Sequence, residues 1–364
     1  MKNKRLIFLI FGLEGGGVER MCVNIANALA EKGWDITLVV QTLENAVYLE
    51  SLSDKVELVN LKCKRSLYAI FPILKFLVAH KHSSVVLHEH LLTTLVVILR
   101  LLFKLKIKIF TINNCNLSMM RKDTKNSQKK WFKNFLINQF YFYADKIINV
   151  SYGVQKDLIK LYPGIENKCS VIYNTVYGEI ERIAQNTKKT DKEKYILYAG
   201  RLEQEKSIHY AIEAFALARP FLKGNYYLKI VGQGSLEKEL KNLVKCLKIE
   251  QHVLFEGFQK NITSYYLKAK ATLLSSTYEG FGNVLIESIM LGTPIISFDC
   301  PSGPDEIIND LNGKLVKFGD VKGLSRAIID VCNSEYDIES VQSTAHRYRS
   351  DKIVKEYEQL LNSL

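Results

Sequence analysis

The chain alternates short, continuous apolar runs with longer stretches in which apolar residues recur every three or four positions. Residues 6–13 form the first such run, of the kind buried on both faces of a parallel sheet. Residues 18–31 then carry apolar side chains at helical spacing, Gly33 closes that helix, and 36–40 is a second apolar run. Strand, helix, strand in this order predicts the opening of a parallel α/β sheet. Further short strands are predicted at 56–60, 84–88, 108–112 and 146–150, each separated from the next by a helical stretch.

The pattern then starts again. Strands are predicted at 195–199, 226–231, 253–256, 271–275 and 294–298, with helices at 207–218, 235–247, 261–269 and 283–291 between them. The polar stretch 174–194 reads as a linker. The predicted architecture is α/β, with two doubly wound sheets: a first domain over 1–175 and a second over 176–342. An amphipathic helix at about 343–364 is free to pack back on the first domain. Open sheets of this kind bind ligands beyond the C-terminal ends of their strands, so the chemistry is sought in those loops.

A length of 364 residues fits two cores, and 47% hydrophobic with 24% charged residues is ordinary for a globular chain. Seven scattered cysteines without C-x-x-C spacing argue against a disulfide framework or a zinc site and for a reducing, cytoplasmic compartment. The apolar N-terminal run follows Lys2, Lys4 and Arg5. It leads into Glu14 and a glycine loop rather than a cleavage site, so it is expected to be a buried strand and not a signal peptide. The run 91–103 is too short to span a membrane and contains Arg100. A soluble or peripheral protein is expected.

The formal net charge of +12 is uneven: residues 104–146 hold ten Lys/Arg against Asp123 and Asp145, interleaved with aromatics such as Trp131 and Phe132. Nothing in the stretch matches a nucleic-acid-binding motif, so no nucleic-acid partner is expected. Composition alone reads it as a solvated basic face over a helix core. Basic and aromatic residues together also suit anionic lipid headgroups.

Three loops carry candidate chemistry. Gly15-Gly16-Gly17 stands between the first strand and its helix, where backbone amides approach a phosphate closely, though the spacing is neither the dinucleotide fingerprint nor a Walker loop. Gly200-Arg201-Leu202, with Lys206 close behind, puts two cations at the mouth of a strand, suited to a diphosphate leaving group. Tyr278-Glu279-Gly280-Phe281-Gly282-Asn283 follows another strand, and Glu287 lies eight residues after Glu279 on the next helix. Two carboxylates there suit sugar and ribose hydroxyls, while the helix start suits phosphate. A tight turn, exposed cations and ordinary helix capping are the structural alternatives at these three places.

Together, Gly16-Gly17-Val18-Glu19-Arg20, Gly200-Arg201-Leu202 with Lys206, Val231-Gly232-Gln233-Gly234, and Glu279-Gly280-Phe281-Gly282 followed by Glu287 resemble glycosyltransferase family 4. The stretch Pro301 to Ile308 and Asn312-Gly313 are similar to that family's C-terminal region, and the likeness spans nearly the whole chain. The resemblance implies the GT-B fold, two Rossmann-like domains facing a central cleft, and a retaining transferase of the hexosyl type. It implies that Arg201 and Lys206 clamp a nucleotide-sugar diphosphate, with amides near Gly16 and Gly17 opposite, and that Glu287 holds the ribose. Glu279 would bind the transferred sugar near its anomeric carbon, with Phe281, Gly282, Asn283 and Val284 along the sugar and phosphate. His88-Glu89-His90 is similar to a His-x-His of the family, which would aim His90 at the sugar or the β-phosphate. The loop Thr111-Ile112-Asn113-Asn114 lacks a histidine that many relatives carry there.

The same resemblance implies no cofactor and no metal. A UDP-linked hexose or N-acetylhexosamine is the default donor, and a lipid-linked glycan or lipopolysaccharide-type acceptor is expected. With such an acceptor, Lys129, Lys130, Trp131 and Lys133 become candidates for docking to an anionic membrane surface, on the inner face of the cell membrane. A GT-B epimerase, a phosphorylase-like enzyme and a non-catalytic nucleotide-sugar-binding protein remain alternatives at this point.

Overall fold

The computed structural model describes residues 5–63, 66–123, 128–176, 178–187 and 191–363; the side chains of 66, 67, 123 and 128–131 are outside that description. The chain forms two compact units, Met1–Tyr177 with Ser350–Leu364, and Gly178–Arg349.

The strands of the first unit are β1 (Arg5–Ile10), β2 (Asp35–Val40), β3 (Val56–Asn60), β4 (Ser84–Leu87), β5 (Lys108–Asn113), β6 (Lys146–Asn149) and β7 (Cys169–Val171). They pair in the order β3-β2-β1-β4-β5-β6-β7, all parallel. Its helices up to the crossing point are α1 (Gly17–Glu31), α2 (Ile70–Ala79), α3 (His90–Phe103), α4 (Leu117–Asp123), α5 (Gln128–Phe140) and α6 (Tyr152–Leu161). One face of the sheet carries a core in which Ile7 and Leu9 of β1 and Val85 and Leu87 of β4 meet Ile73 of α2, Val96 of α3 and Ile137 of α5. β1 is buried along nearly its whole length because helices cover both faces, which is why its sequence is apolar throughout rather than alternating.

The second unit holds the helices α7 (Gly178–Asn186), α8 (Ile208–Ala218), α9 (Glu237–Cys246), α10 (Thr263–Lys268), α11 (Asn283–Met290), α12 (Pro304–Ile307), α13 (Val321–Asn333) and α14 (Ile338–Ser343). Its strands are β8 (Tyr195–Ala199), β9 (Tyr227–Val231), β10 (Val253–Gly257), β11 (Ala271–Leu274), β12 (Ile295–Asp299) and β13 (Gly313–Lys317). They pair as β10-β9-β8-β11-β12-β13, again all parallel. This is the doubly wound order with its switch point between the first and fourth strands.

The last helix, α15 (Ser350–Asn362), returns to the first unit. It lies on α1, burying Ile353, Val354 and Tyr357, and Trp34 Nε1 donates to Glu358 Oε1 at 3.0 Å. The helix begins at Ser350 rather than near 343. Residues before it form α14 and a 3₁₀ turn, His346–Tyr348, that stay with the second unit.

Two further departures from the sequence reading have local causes. The stretch taken as linker contains α7: Ile180, Ile183 and Ala184 fall at helical spacing, and the helix packs on α11. Short apolar spacing inside a polar run was masked by its charged neighbours. β7 and β13 were absent from the predicted set because both are edge strands, one of three residues and one carrying Lys314 and Lys317, without the apolar run of a central strand.

Candidate functional site

In the second unit the switch point lies between β8 and β11, which pair directly. The loops leaving their C-terminal ends are tied together. Thr277 N donates to Glu205 O at 2.8 Å, Ser275 Oγ to Lys206 O at 3.0 Å, and the hydroxyls of Ser207 and Thr277 are 2.7 Å apart. Ser207 sits at φ 45, so the chain turns sharply just after Lys206 and aims that side chain back over the sheet edge.

The outcome is a polar cluster. Lys206 Nζ donates to Glu279 Oε1 at 2.6 Å, and Ser276 Oγ donates to the same oxygen at 2.6 Å. Both members of the ion pair are mostly buried, 18% and 12% exposed. Arg201 stands apart from this cluster: it is 68% exposed and pairs with Glu205 at 2.6 Å. Glu279 N donates to Pro301 O, so the loop after β12 fixes the Glu279 loop from the other side. Gly303 makes that approach possible, since a Cβ there would lie 2.0 Å from Phe281 O. Gly232 serves the same end between β9 and β8, where a Cβ would lie 1.9 Å from Gly200 O.

α11 begins at Asn283 with Gly282 as its cap and no capping side chain. Its first-turn amides point into the same region, a favourable place for negative charge. Asn283 and Val284 are half-buried there. The Phe281 ring turns inward, 2% exposed and edge-on to Tyr348 at 5.4 Å, so what it offers a ligand is backbone. Glu287 is the fifth helical residue and is itself buried, accepting from Tyr266 Oη at 3.0 Å.

Beneath the cluster lies Tyr198, on β8. It is wholly buried, its hydroxyl has no hydrogen-bond partner among the described residues, and a Cβ at Gly200 would stand 3.4 Å from it. Burial first, then the negative charges of Glu279 and Glu205, push its ionisation well above the usual range. Sequence reading gave no hint of Tyr198, which looks like any strand-core aromatic, nor of Ser276 and Tyr266.

The first unit repeats the arrangement between β1 and β4. Gly16 caps α1, and the Glu19 carboxylate folds back over it, close enough that a Cβ at Gly16 would meet Oε2 at 2.2 Å. Glu89 lies beside this: burial first and then the Glu19 charge, opposed by Lys133, raise its carboxyl to about 7. His88 is buried, with neither ring nitrogen hydrogen-bonded among the described residues, and burial lowers it to about 3. His90 is the first residue of α3. Its Nε2 is 3.0 Å from Asn113 Oδ1, and its ring packs against Tyr141 at 5.0 Å.

Of the residues singled out for a membrane surface, Lys133 is exposed on α5, while the side chains of Lys129, Lys130 and Trp131 lie outside the described residues. Phe132 and Phe135 of α5, Phe71 of α2 and Leu102 and Phe103 of α3 are exposed apolar residues of the same unit. Among the described residues, no helix is long and apolar enough to cross a membrane, and no group of three or more His, Cys, Asp or Glu is arranged to hold a metal ion. All seven cysteines are free.

Two parallel α/β units, each with polar loops at its switch point, define the class: this is a GT-B fold of the glycosyltransferase type. Residues 15–177 match the family profile described as Glycosyltransferase Family 4, and 179–350 match Glycosyl transferases group 1. The chain is 30% identical over 328 residues, 84% of each chain, to the N-acetylgalactosamine-N,N'-diacetylbacillosaminyl-diphospho-undecaprenol 4-alpha-N-acetylgalactosaminyltransferase of Campylobacter jejuni. It is 31% identical over 215 residues, 57% of this chain and 58% of the other, to the lipopolysaccharide 1,6-galactosyltransferase of Salmonella typhimurium. In fold it is similar to the apo lipopolysaccharide outer core galactosyltransferase WaaB, with a TM-score of 0.73 and 20% identity over 99% of both chains. It is likewise similar to Anabaena HepE in complex with UDP-glucose, with a TM-score of 0.77 and 20% identity over 99% of this chain and 100% of that one. The chain belongs to the family 4 glycosyltransferases, and it is a glycosyltransferase.

Proposed function

We propose that the enzyme moves a hexose or N-acetylhexosamine from a UDP-sugar to a lipid-linked or lipopolysaccharide-type glycan, with retention of anomeric configuration and without a divalent metal. The observation that carries this reading is the Lys206–Glu279–Ser276 cluster at the β8/β11 switch point, flanked by Arg201 and the start of α11. A diphosphate entering there takes Lys206 from Glu279 and Arg201 from Glu205. Those cations and the helix amides stabilise the charge that grows on the leaving phosphate. Glu279, held by Ser276, is then free to bind the sugar and stabilise positive charge at its anomeric carbon. The acceptor hydroxyl attacks from the face the diphosphate leaves, and a phosphate oxygen receives its proton. In this reading Glu287 holds the ribose.

The acceptor class is supported by the two relatives, one named for a diphospho-undecaprenol-linked substrate and one for lipopolysaccharide. Docking at an anionic membrane is supported by the basic segment that includes Lys133 and by exposed Phe71, Leu102, Phe103 and Phe132. The deciding experiment is thermal stabilisation and slow hydrolysis with UDP-, GDP- and ADP-sugars in EDTA. A UDP-sugar at a hundred times its Kd stabilises by about 2.7 kcal/mol. Stabilisation by no nucleotide sugar overturns the reading, and dependence on added metal overturns its metal-free part.

A further inference from the structure

The end of the first sheet holds a hydrogen-bond chain with a fixed direction. Asn149, at the end of β6, donates from Nδ2 to the carbonyl oxygens of Ser170 and Ile147, at 3.3 and 3.5 Å. Its amide orientation is thereby set, and Oδ1 is left as the acceptor. Asn113, at the end of β5, donates from Nδ2 to that oxygen at 3.1 Å. Asn113 Oδ1 must therefore accept, and its partner is His90 Nε2 at 3.0 Å. An acceptor oxygen there requires the proton of a neutral imidazole to sit on Nε2. The other nitrogen, Nδ1, then carries a lone pair. It has no partner among the described residues and is not sealed from solvent, on a half-buried side chain.

We infer that Asn149 and Asn113 are positioning residues that lock His90 in the Nε2–H tautomer, so that Nδ1 is a dedicated acceptor for a hydroxyl of the sugar substrate. On a neutral ring a hydroxyl is the better partner than a phosphate, because a lone pair facing a phosphate oxygen repels it while a hydroxyl brings its own proton. Burial keeps the ring neutral, lowering it to about 4, with Arg121 and Lys133 acting in the same sense and the Asn113 bond against it. Tyr141 fixes the ring plane from one side. Asn113 and Asn149 are both wholly buried, so water does not compete for the chain. Two buried amides in series at the edge of a ligand-binding loop are poor choices for packing alone, which apolar residues would serve at lower cost. The role of the hydroxyl rests on the transferase reading above; the tautomer does not.

The two parts are tested separately. Long-range 1H–15N correlation on protein labelled with [15N]histidine, with His90 assigned by its loss in His90→Gln, reads the tautomer directly. The expected pattern is Nε2–H at pH 7, retained in Asn113→Asp and averaged between tautomers in Asn113→Leu. An Nδ1–H or doubly protonated ring in the native protein overturns the inference, whatever the enzyme turns over. His90→Gln keeps a donor toward Asn113 and removes the Nδ1 acceptor. It should lower kcat/KM at least 10-fold with affinity for UDP alone unchanged. If donor hydrolysis without acceptor is preserved, the hydroxyl is the acceptor's; if it falls in step, the hydroxyl is the donor sugar's. A 10-fold or larger loss of UDP affinity in His90→Gln means a phosphate contact and overturns the assignment. Failure of UDP to bind the native enzyme removes the donor reading and leaves the tautomer result standing.

Discussion

Gly303→Ala tests whether the Glu279 loop is held by contact with the loop after β12. Gly303 has φ +111, and a Cβ there would fall 2.0 Å from Phe281 O and 2.5 Å from Phe281 C. Gly319 is the control, with φ +81 and nothing within 4 Å of an added Cβ. Both substitutions carry left-handed backbone strain of about 1–2 kcal/mol. Only Gly303→Ala adds a hard clash. Ordinary carbon contacts lie near about 3.5 Å, so the loops must part by about 1.5 Å. That breaks the Glu279 N–Pro301 O bond of 3.1 Å, at about 1 kcal/mol, and adds overpacking of about 1–3 kcal/mol. The second unit has the size at which 1 kcal/mol moves a melting point by about 2–4 °C. Gly303→Ala should therefore melt roughly 5–15 °C below Gly319→Ala in calorimetry, with kcat falling in the first variant only. Equal melting points would refute the claim that this contact holds the loop.

Four further outcomes are expected. Lys206→Ala, which strands a mostly buried Glu279 carboxylate, should cost about 1.5–3 kcal/mol. Lys206→Ala/Glu279→Gln should then fall short of the summed single losses by more than about 0.5 kcal/mol, and additivity in urea titrations would mean the pair does not couple. Glu279→Gln alone should lower kcat by about 10²–10³ with a far smaller change in UDP affinity, read from steady-state rates and calorimetric titration. Tyr198→Phe removes an unpartnered buried hydroxyl and should leave the melting point unchanged or raised, whereas a drop worth more than about 1 kcal/mol would reveal a hidden partner. His88 and His90, lowered to about 3 and about 4, take up protons in the unfolded chain first. Their contribution is complete above pH 6.5 and is lost as the pH falls, through about 4 for His90 and about 3 for His88. Glu89, raised to about 7, acts in the opposite sense, losing stability as pH rises from 4.5. The two histidines outweigh it, so stability should fall on acidification below pH 6.5 by about 1.4 kcal/mol per pH unit for each net proton, and His88→Leu should flatten that slope. Tryptophan emission follows the unit concerned, because Trp34 and Trp131 both belong to it.

The doubled α/β pattern was readable because parallel strands buried on both faces leave continuous apolar runs, as β1 and β8 do. Edge strands β7 and β13 lack that signal, and α7 hid within a polar run because only one narrow face is apolar. The loops of the site were legible from their glycines and charges. Their pairing was not: that Lys206 reaches Glu279 while Arg201 turns to Glu205 depends on the turn at Ser207 and on contacts between distant loops. The lack of a histidine in the loop Thr111-Ile112-Asn113-Asn114 could be noted from sequence. That Asn113 instead orients His90 required the register of β5 against β6, which sets Asn113 beside Asn149.

The return of α15 to α1 gives the first unit a history in time as well as a place in space. Its sheet is synthesised first, yet the part of α1 that α15 covers stays open until Ile353, Val354 and Tyr357 have been made. The second unit, contiguous in sequence, can close during that interval. On the ribosome the order of maturation of the two units is thus inverted: the one whose sheet comes earlier in the sequence is completed after the other, and until then it offers an open apolar seam to chaperones or to neighbouring nascent chains.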